Sequence, residues 1–274
     1  MMSKQFIDLP GGQKLFFQSY GNGGRTVLLL HGLVGGSWLG EEWVNAVEQA
    51  GVRCIVPERP GYGDSSQIVL RSVSDWIPIA KALASDLQIT SAAVIGCSAG
   101  APYAYATAAA LPDSIKKVCV PAVYEEAVLR HYSEQSREAY TAFAEQPQSA
   151  VQAYYTAQME ASKQQMANTN LEYIKTTIDE VLAQNCFGMA QESRLQILPW
   201  NLSFPEITQP VAFYHSPEDE TVPYAAAKEM PAFFKQAVFL DAELPEGAAN
   251  GSAHMAAISA SLVRILGYYE RGLY

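Results

Sequence analysis

Ala92-Ala93-Val94-Ile95-Gly96-Cys97-Ser98-Ala99-Gly100, followed by the alanine-rich run 101–111, is the stretch that decides how this chain is read. A short apolar run of this kind suits a buried strand, and the alanine-rich run suits a helix, so Ser98 falls on the turn between them. Glycines two residues before and two after Ser98 remove side chains that would collide with the neighbouring strand and helix, which lifts the hydroxyl out of the sheet. The amino end of the following helix adds unpaired N–H groups and a positive dipole end where an oxyanion would form. Ser98 is therefore the candidate nucleophile, with the backbone of Ala99 as one oxyanion donor.

Working outward, segments 6–9 and 15–20 flank Pro10-Gly11-Gly12 and predict an opening hairpin. The runs 26–30, 52–56, 92–95, 118–120, 211–214 and 238–240 are short and continuously apolar, as parallel strands buried on both faces are. Helical segments are expected at 41–50, 74–86, 98–111 and 225–234 and at the C-terminus, where Met255, Ile258, Leu262, Ile265, Leu266 and Tyr269 recur on one face. This alternation predicts an α/β fold: a mostly parallel central sheet of about eight strands, flanked by helices, with ligands at the carboxyl ends of its strands. Between 124 and 203 no strand is expected. Long Ala/Gln/Glu-rich stretches there predict a helical cap inserted after the sixth strand. The expected division is core 1–122, cap 123–205 and core 206–274.

A serine hydroxyl needs a base to take its proton and a third group to orient that base. The chain has 4 histidines. His254, in a loop before the last helix, is the best-placed base. His31 is expected to pin its own loop, His131 lies in the expected cap, and His215 closes a strand. The orienting carboxylate is expected in His215-Ser216-Pro217-Glu218-Asp219-Glu220-Thr221-Val222-Pro223. Asp219 is preferred over Glu218 and Glu220, with Glu125 as a rival. Chain order is then Ser98, Asp219, His254. The glycine-rich stretch His31–Gly36 can turn backbone N–H groups toward the reacting oxygen, with Leu33 as the second oxyanion donor. Arg59-Pro60-Gly61-Tyr62-Gly63 reads as a tight turn in which Arg59 braces neighbouring loops. Trp38, Cys97 and Val222 are the expected substrate-binding residues. The Cys97 thiol itself is expected to pack rather than react.

Together these residues resemble the α/β-hydrolase superfamily over nearly the whole chain: the hairpin, His31-Gly32, the stretch from Glu58 to Ser65, the turn at Ser98, Asp219 with Val222-Pro223, and His254. The resemblance implies that Ser98 is nucleophile, His254 base and the Leu33 backbone an oxyanion donor, and it implies a helical cap between the sixth and seventh strands. Relatives that open epoxides or dehalogenate alkanes carry an aspartate where Ser98 stands, which argues against both reactions.

The 274 residues carry a net charge of −10 and no basic cluster, so neither nucleic acid nor a membrane surface is an expected partner. A small-molecule substrate is. The four cysteines lack metal-ligand spacing, so no metal and no cofactor is expected, and the absence of a long apolar segment points to a cytoplasmic protein. The function expected is hydrolysis of small or medium carboxylic esters or related acyl compounds through an acyl-enzyme. The alternatives are hydrolysis of a carbon–carbon bond in diketone-type substrates and non-catalytic sensing of a small molecule on the same scaffold.

Overall fold

The computed structural model describes residues 5–121, 131–167, 171–244 and 252–270. Glu125, the rival carboxylate, lies outside them.

Strands β1 (Gln5–Leu9) and β2 (Gln13–Tyr20) form the opening hairpin across a turn in which Gly11 and Gly12 take φ of +80° and +74°. Six further strands follow: β3 (Arg25–Leu30), β4 (Val52–Pro57), β5 (Ala92–Gly96), β6 (Ile115–Pro121), β7 (Val211–His215) and β8 (Ala237–Asp241). The sheet order is β1-β2-β4-β3-β5-β6-β7-β8. β1 and β2 pair antiparallel, as do β2 and β4, and every later pairing is parallel.

The strands are apolar throughout because both faces of the sheet are covered. Leu28, Leu30, Val94, Val118, Val211 and Phe213 point into one core cluster. Their neighbours Val27, Leu29, Ala93, Ile95, Cys119, Ala212 and Tyr214 point into the other, as the two-residue period of a strand requires. Helices α1 (Glu41–Ala50), α2 (Ile77–Asp86) and α3 (Ala101–Ala110) lie where the sequence puts helices. α3 is buried on nearly every side, which its run of small residues permits. All four cysteines are buried and free.

Between β6 and β7 come α4 (Glu134–Glu145), α5 (Gln148–Met166), α6 (Glu172–Ala183) and α7 (Phe187–Leu195). α7 docks on the loop after β4: the Gly188 N–H donates to Gly61 O at 3.1 Å, and the Leu70 N–H donates to Gln191 Oε1 at 2.7 Å. Gly188 is required there, since a Cβ would sit 2.3 Å from the Tyr62 ring. Phe143, Tyr154 and Tyr155 pack ring against ring, with centroids 5.2–5.7 Å apart, and so form part of the insertion's own core.

The chain closes with α8 (Tyr224–Glu229) and α9 (Ala253–Glu270). Ile258, Leu262, Ile265 and Leu266 of α9 are buried against the sheet, but Met255 is 51% exposed. The expected apolar face of α9 is therefore buried from Ile258 to Leu266, and Met255, though in register with it, is not part of it. No helix among the described residues is long and apolar enough to cross a membrane.

Candidate active site

Ser98 sits directly after β5 with φ of +50°, a left-handed backbone that non-glycine residues rarely adopt. Its two glycines are fixed by space. A Cβ on Gly96 would lie 2.7 Å from Ala104 Cβ, and one on Gly100 would lie 2.3 Å from the Leu30 carbonyl oxygen. The turn is thus wedged between β3 and α3, and Ser98 remains partly exposed at its crest.

Two loops 121 and 156 residues along the chain bring their side chains to this turn. His254 Nε2 lies 3.0 Å from Ser98 Oγ, and the His254 Nδ1–H donates to Asp219 Oδ2 at 2.8 Å. The other carboxylate oxygen, Asp219 Oδ1, accepts the N–H groups of Thr221 and Val222, each at 2.8 Å. The Asp219 side chain is fully buried and that of His254 is 8% exposed. Burial pushes the Asp219 carboxyl up, but the hydrogen bond and charge of His254 with the Val222 N–H outweigh it and hold the group below 3.8. The carboxylate is therefore kept ionised beside the imidazole.

Of the acidic turn's other carboxylates, Glu220 accepts the His254 backbone N–H at 3.2 Å and the Ser252 hydroxyl at 2.7 Å, so it braces the loop that carries the imidazole. Glu218 is exposed. His215 closes the turn from below, its Nε2–H donating to the Val222 carbonyl at 3.0 Å while the ring stands 3.8 Å from Asp219 Oδ2. His131 pairs with Glu229 at 2.6 Å, away from this chain of contacts.

The loop after β3 passes over the same point. A Cβ built on Gly32 would be 3.8 Å from Ser98 Cβ, which brings the Gly32-Leu33 peptide beside the serine. His31 is held within its own loop, its Nδ1–H on Gly32 O at 2.8 Å and its Nε2 accepting the Arg59 N–H at 3.3 Å. Burial and the Arg59 charge drive its pKa well below 6.5, so the ring is neutral. Arg59, with no exposed surface, donates to the His31 and Gly32 carbonyls and forms a two-pronged pair with Glu192 of α7.

Trp38 is 44% exposed, and its indole N–H donates to Glu180 Oε1 of α6 at 2.7 Å. Cys97 and Val222 are buried to 3% and 1% exposure, the first between the sheet and the α1–α9 side, the second in the opposite core cluster. Burial pushes the Cys97 thiol up to about 12, which leaves it an unreactive packing group. Glu192 and Glu180 carry no sequence signal of their own, since each is one of many acidic residues in the insertion's helices. The bracing role expected of Arg59 in its tight turn is the nearest sequence hint that a partner comes from elsewhere in the chain. Among the described residues, no three or more His, Cys, Asp or Glu side chains cluster as a metal ion would need.

A sequence model of the α/β-hydrolase fold matches residues 25–245. An epoxide hydrolase of Caballeronia sordidicola is 34% identical over 102 residues, a stretch that covers 35% of this chain and 30% of that protein's length. The structure superposes on an esterase from Exiguobacterium antarcticum with a TM-score of 0.72 at 17% identity, covering 97% of this chain and 100% of that one. It superposes equally on an epoxide hydrolase from Vigna radiata, with a TM-score of 0.72 at 18% identity over 99% and 97% of the two chains. At such identities the likeness speaks for the fold. The matched family model covers most of the chain, and the chain belongs to the α/β-hydrolase fold family.

Proposed function

We propose that the protein is a cofactor-independent serine hydrolase of small or medium carboxylic esters or related acyl compounds, with Ser98 as nucleophile, His254 as general base and Asp219 as the orienting acid. The observation that carries this reading is the continuous hydrogen-bond chain from Ser98 Oγ through both ring nitrogens of His254 to a buried carboxylate. With Nδ1–H committed to Asp219, Nε2 presents its lone pair to the hydroxyl, which is the tautomer a base must have.

His254 takes the Ser98 proton as Oγ attacks the acyl carbon. The tetrahedral oxyanion is received by the backbone N–H groups of Leu33 and Ala99, and the imidazolium, steadied by Asp219, returns the proton to the leaving alcohol. Water activated by the same imidazole then attacks the acyl-enzyme and frees the acid. Helices α4–α7 serve as a cap over the carboxyl ends of the strands, within the boundaries 123–205. Trp38, held by its indole N–H to α6, is a candidate pocket wall. A hydroxyl at this position supports acyl transfer over epoxide opening or dehalogenation, since those reactions in relatives start from a carboxylate there.

The test is labelling by a fluorophosphonate together with turnover of a p-nitrophenyl ester series. Wild type is expected to label and to turn over short esters. Ser98→Ala abolishes the label, and both Ser98→Ala and His254→Ala lower kcat by several orders of magnitude. Undiminished labelling of folded Ser98→Ala assigns the chemistry elsewhere and ends the proposal.

A further inference from the structure

Two consecutive carbonyls of the loop after β3 are held by Arg59 from the loop after β4, and a third shares the one Tyr62 hydroxyl proton with Glu192. Arg59 Nη1 donates to His31 O at 2.5 Å, Arg59 Nη2 to Gly32 O at 3.1 Å, and the Tyr62 hydroxyl lies 3.0 Å from Leu33 O. Across a planar trans peptide, the C=O of one residue and the N–H of the next point in opposite directions. Fixing the Gly32 carbonyl on Arg59 therefore fixes the Leu33 N–H away from it, on a peptide that passes beside Ser98.

Neither holding side chain is anchored by its own loop. Glu192 Oε1 and Oε2 receive Arg59 Nε and Nη2, the second at 2.8 Å, and Glu192 Oε2 lies 3.0 Å from the Tyr62 hydroxyl. All three are buried, with 0% and 3% of the Arg59 and Glu192 side chains exposed. The guanidinium lies against the Tyr103 and Tyr62 rings at 4.8 and 5.4 Å, which confines it to one plane. A planar fork gripped on one edge by a carboxylate presents its remaining N–H groups in fixed directions.

We propose that Glu192 is a positioning residue for the oxyanion-binding loop: by gripping Arg59 from α7, it makes the orientation of the 31–33 peptides depend on the docking of the helical insertion. Displacement of α7 releases the fork and with it the His31 carbonyl and one of the two donors on Gly32 O, so that only the His31 Nδ1–H at 2.8 Å is left to aim the Leu33 N–H. Seating of the insertion and competence of the oxyanion site are then coupled. The catalytic part of this inference rests on the serine hydrolase reading; the geometric part does not.

The test uses the full chain with Glu192→Gln and Tyr62→Phe, and Lys163→Ala as a control that breaks an exposed pair with Asp179 between α5 and α6. Three readouts are taken: the amide resonances of Gly32 and Leu33 in isotopically labelled protein, kcat and KM on a p-nitrophenyl ester, and inhibition by a trifluoromethyl ketone, which forms a tetrahedral adduct. In the first two variants the resonances are expected to shift and kcat to fall about 10- to 100-fold, the cost of slight misplacement. KM should stay within about threefold, and ketone affinity should weaken in step with kcat/KM. Lys163→Ala should match wild type in all three. Should Glu192→Gln fail to fold, Glu192→Asp, which keeps the charge but shortens the reach to Arg59, decides, and Tyr62→Phe reports on the shared hydroxyl proton. Wild-type resonances and kcat in the folded variants overturn the proposal, as does an equal response to Lys163→Ala. A wild type that neither labels nor turns over ester sinks the hydrolase reading instead, and the resonances alone then decide whether the brace exists.

Discussion

Exchanging Asp219 for asparagine changes one atom and should nearly silence the site. Asp219 Oδ1 is occupied by two N–H donors at 2.8 Å, from Thr221 and Val222, so the amide oxygen of an asparagine must take that place. The reverse orientation would set its NH₂ against both donors in a buried turn, at a cost of about 1–3 kcal/mol for each unmet group. The NH₂ is thus forced into the Oδ2 position, 2.8 Å from His254 Nδ1. Nδ1 can then only accept, and the ring proton moves to Nε2, facing Ser98 Oγ across 3.0 Å. A hydroxyl that meets an N–H has no acceptor for its proton. The expected loss in kcat is about 10⁴-fold, the size a reversed tautomer produces in serine hydrolases, or about 5.5 kcal/mol of barrier. The assay is steady-state turnover of a p-nitrophenyl ester, with a melting curve to show that the variant folds. A folded Asp219→Asn protein retaining more than about a tenth of wild-type kcat would refute the tautomer argument and reduce Asp219 to a turn former.

Other outcomes follow from the same geometry. Glu58, with no exposed surface, has its carboxyl pushed up by burial from 4.5 to about 7, opposed by the Ser37 hydrogen bond and helped by nearby Glu180. An acid whose folded pKa is raised contributes stability that is full below 4.5 and lost as pH climbs through about 7, so Tm of wild type should decline across that window. Glu58→Gln should flatten the decline, and parallel Tm curves for the two proteins would refute the assignment. At position 98, where φ is +50°, Ser98→Gly should melt no lower than Ser98→Ala, against the usual order of the two residues, because only glycine takes that backbone without strain. A clearly more stable alanine variant would deny the strain. Gly100→Ala drives a Cβ to 2.3 Å from the Leu30 carbonyl and should cost several kcal/mol in denaturant unfolding; a loss under about 1 kcal/mol would mean that the turn can shift.

The strands, the hairpin and the partners of Ser98 are legible in the chain because each rests on a local rule. Continuous apolar runs mark strands buried on both faces, and glycines two residues either side of a serine mark a crowded turn. Asp219 could be told from Glu218 and Glu220 only by its spacing from Val222-Pro223, and the two N–H groups it accepts from Thr221 and Val222 are the physical content of that spacing. The insertion was legible as helical but not in its docking. Whether Glu192 or any other acid of α4–α7 meets Arg59 depends on how four helices pack on one another and on the loop after β4, which no window of the sequence encodes. Met255 shows the limit of periodicity: it obeys the helical spacing of α9, yet it is 51% exposed while His254 and Ala257 on either side are buried.

The crowding of the turn at Ser98 has an implication for how chemistry diversifies on this scaffold. Since atoms of β3 and α3 fill the space around them, neither Gly96 nor Gly100 can take a side chain without moving its neighbours. What remains open to change is the functional group at its crest. A hydroxyl, thiol or carboxylate mounted there would face the same imidazole from the same backbone position. One rigid pedestal could thus be converted between reaction classes by a single codon.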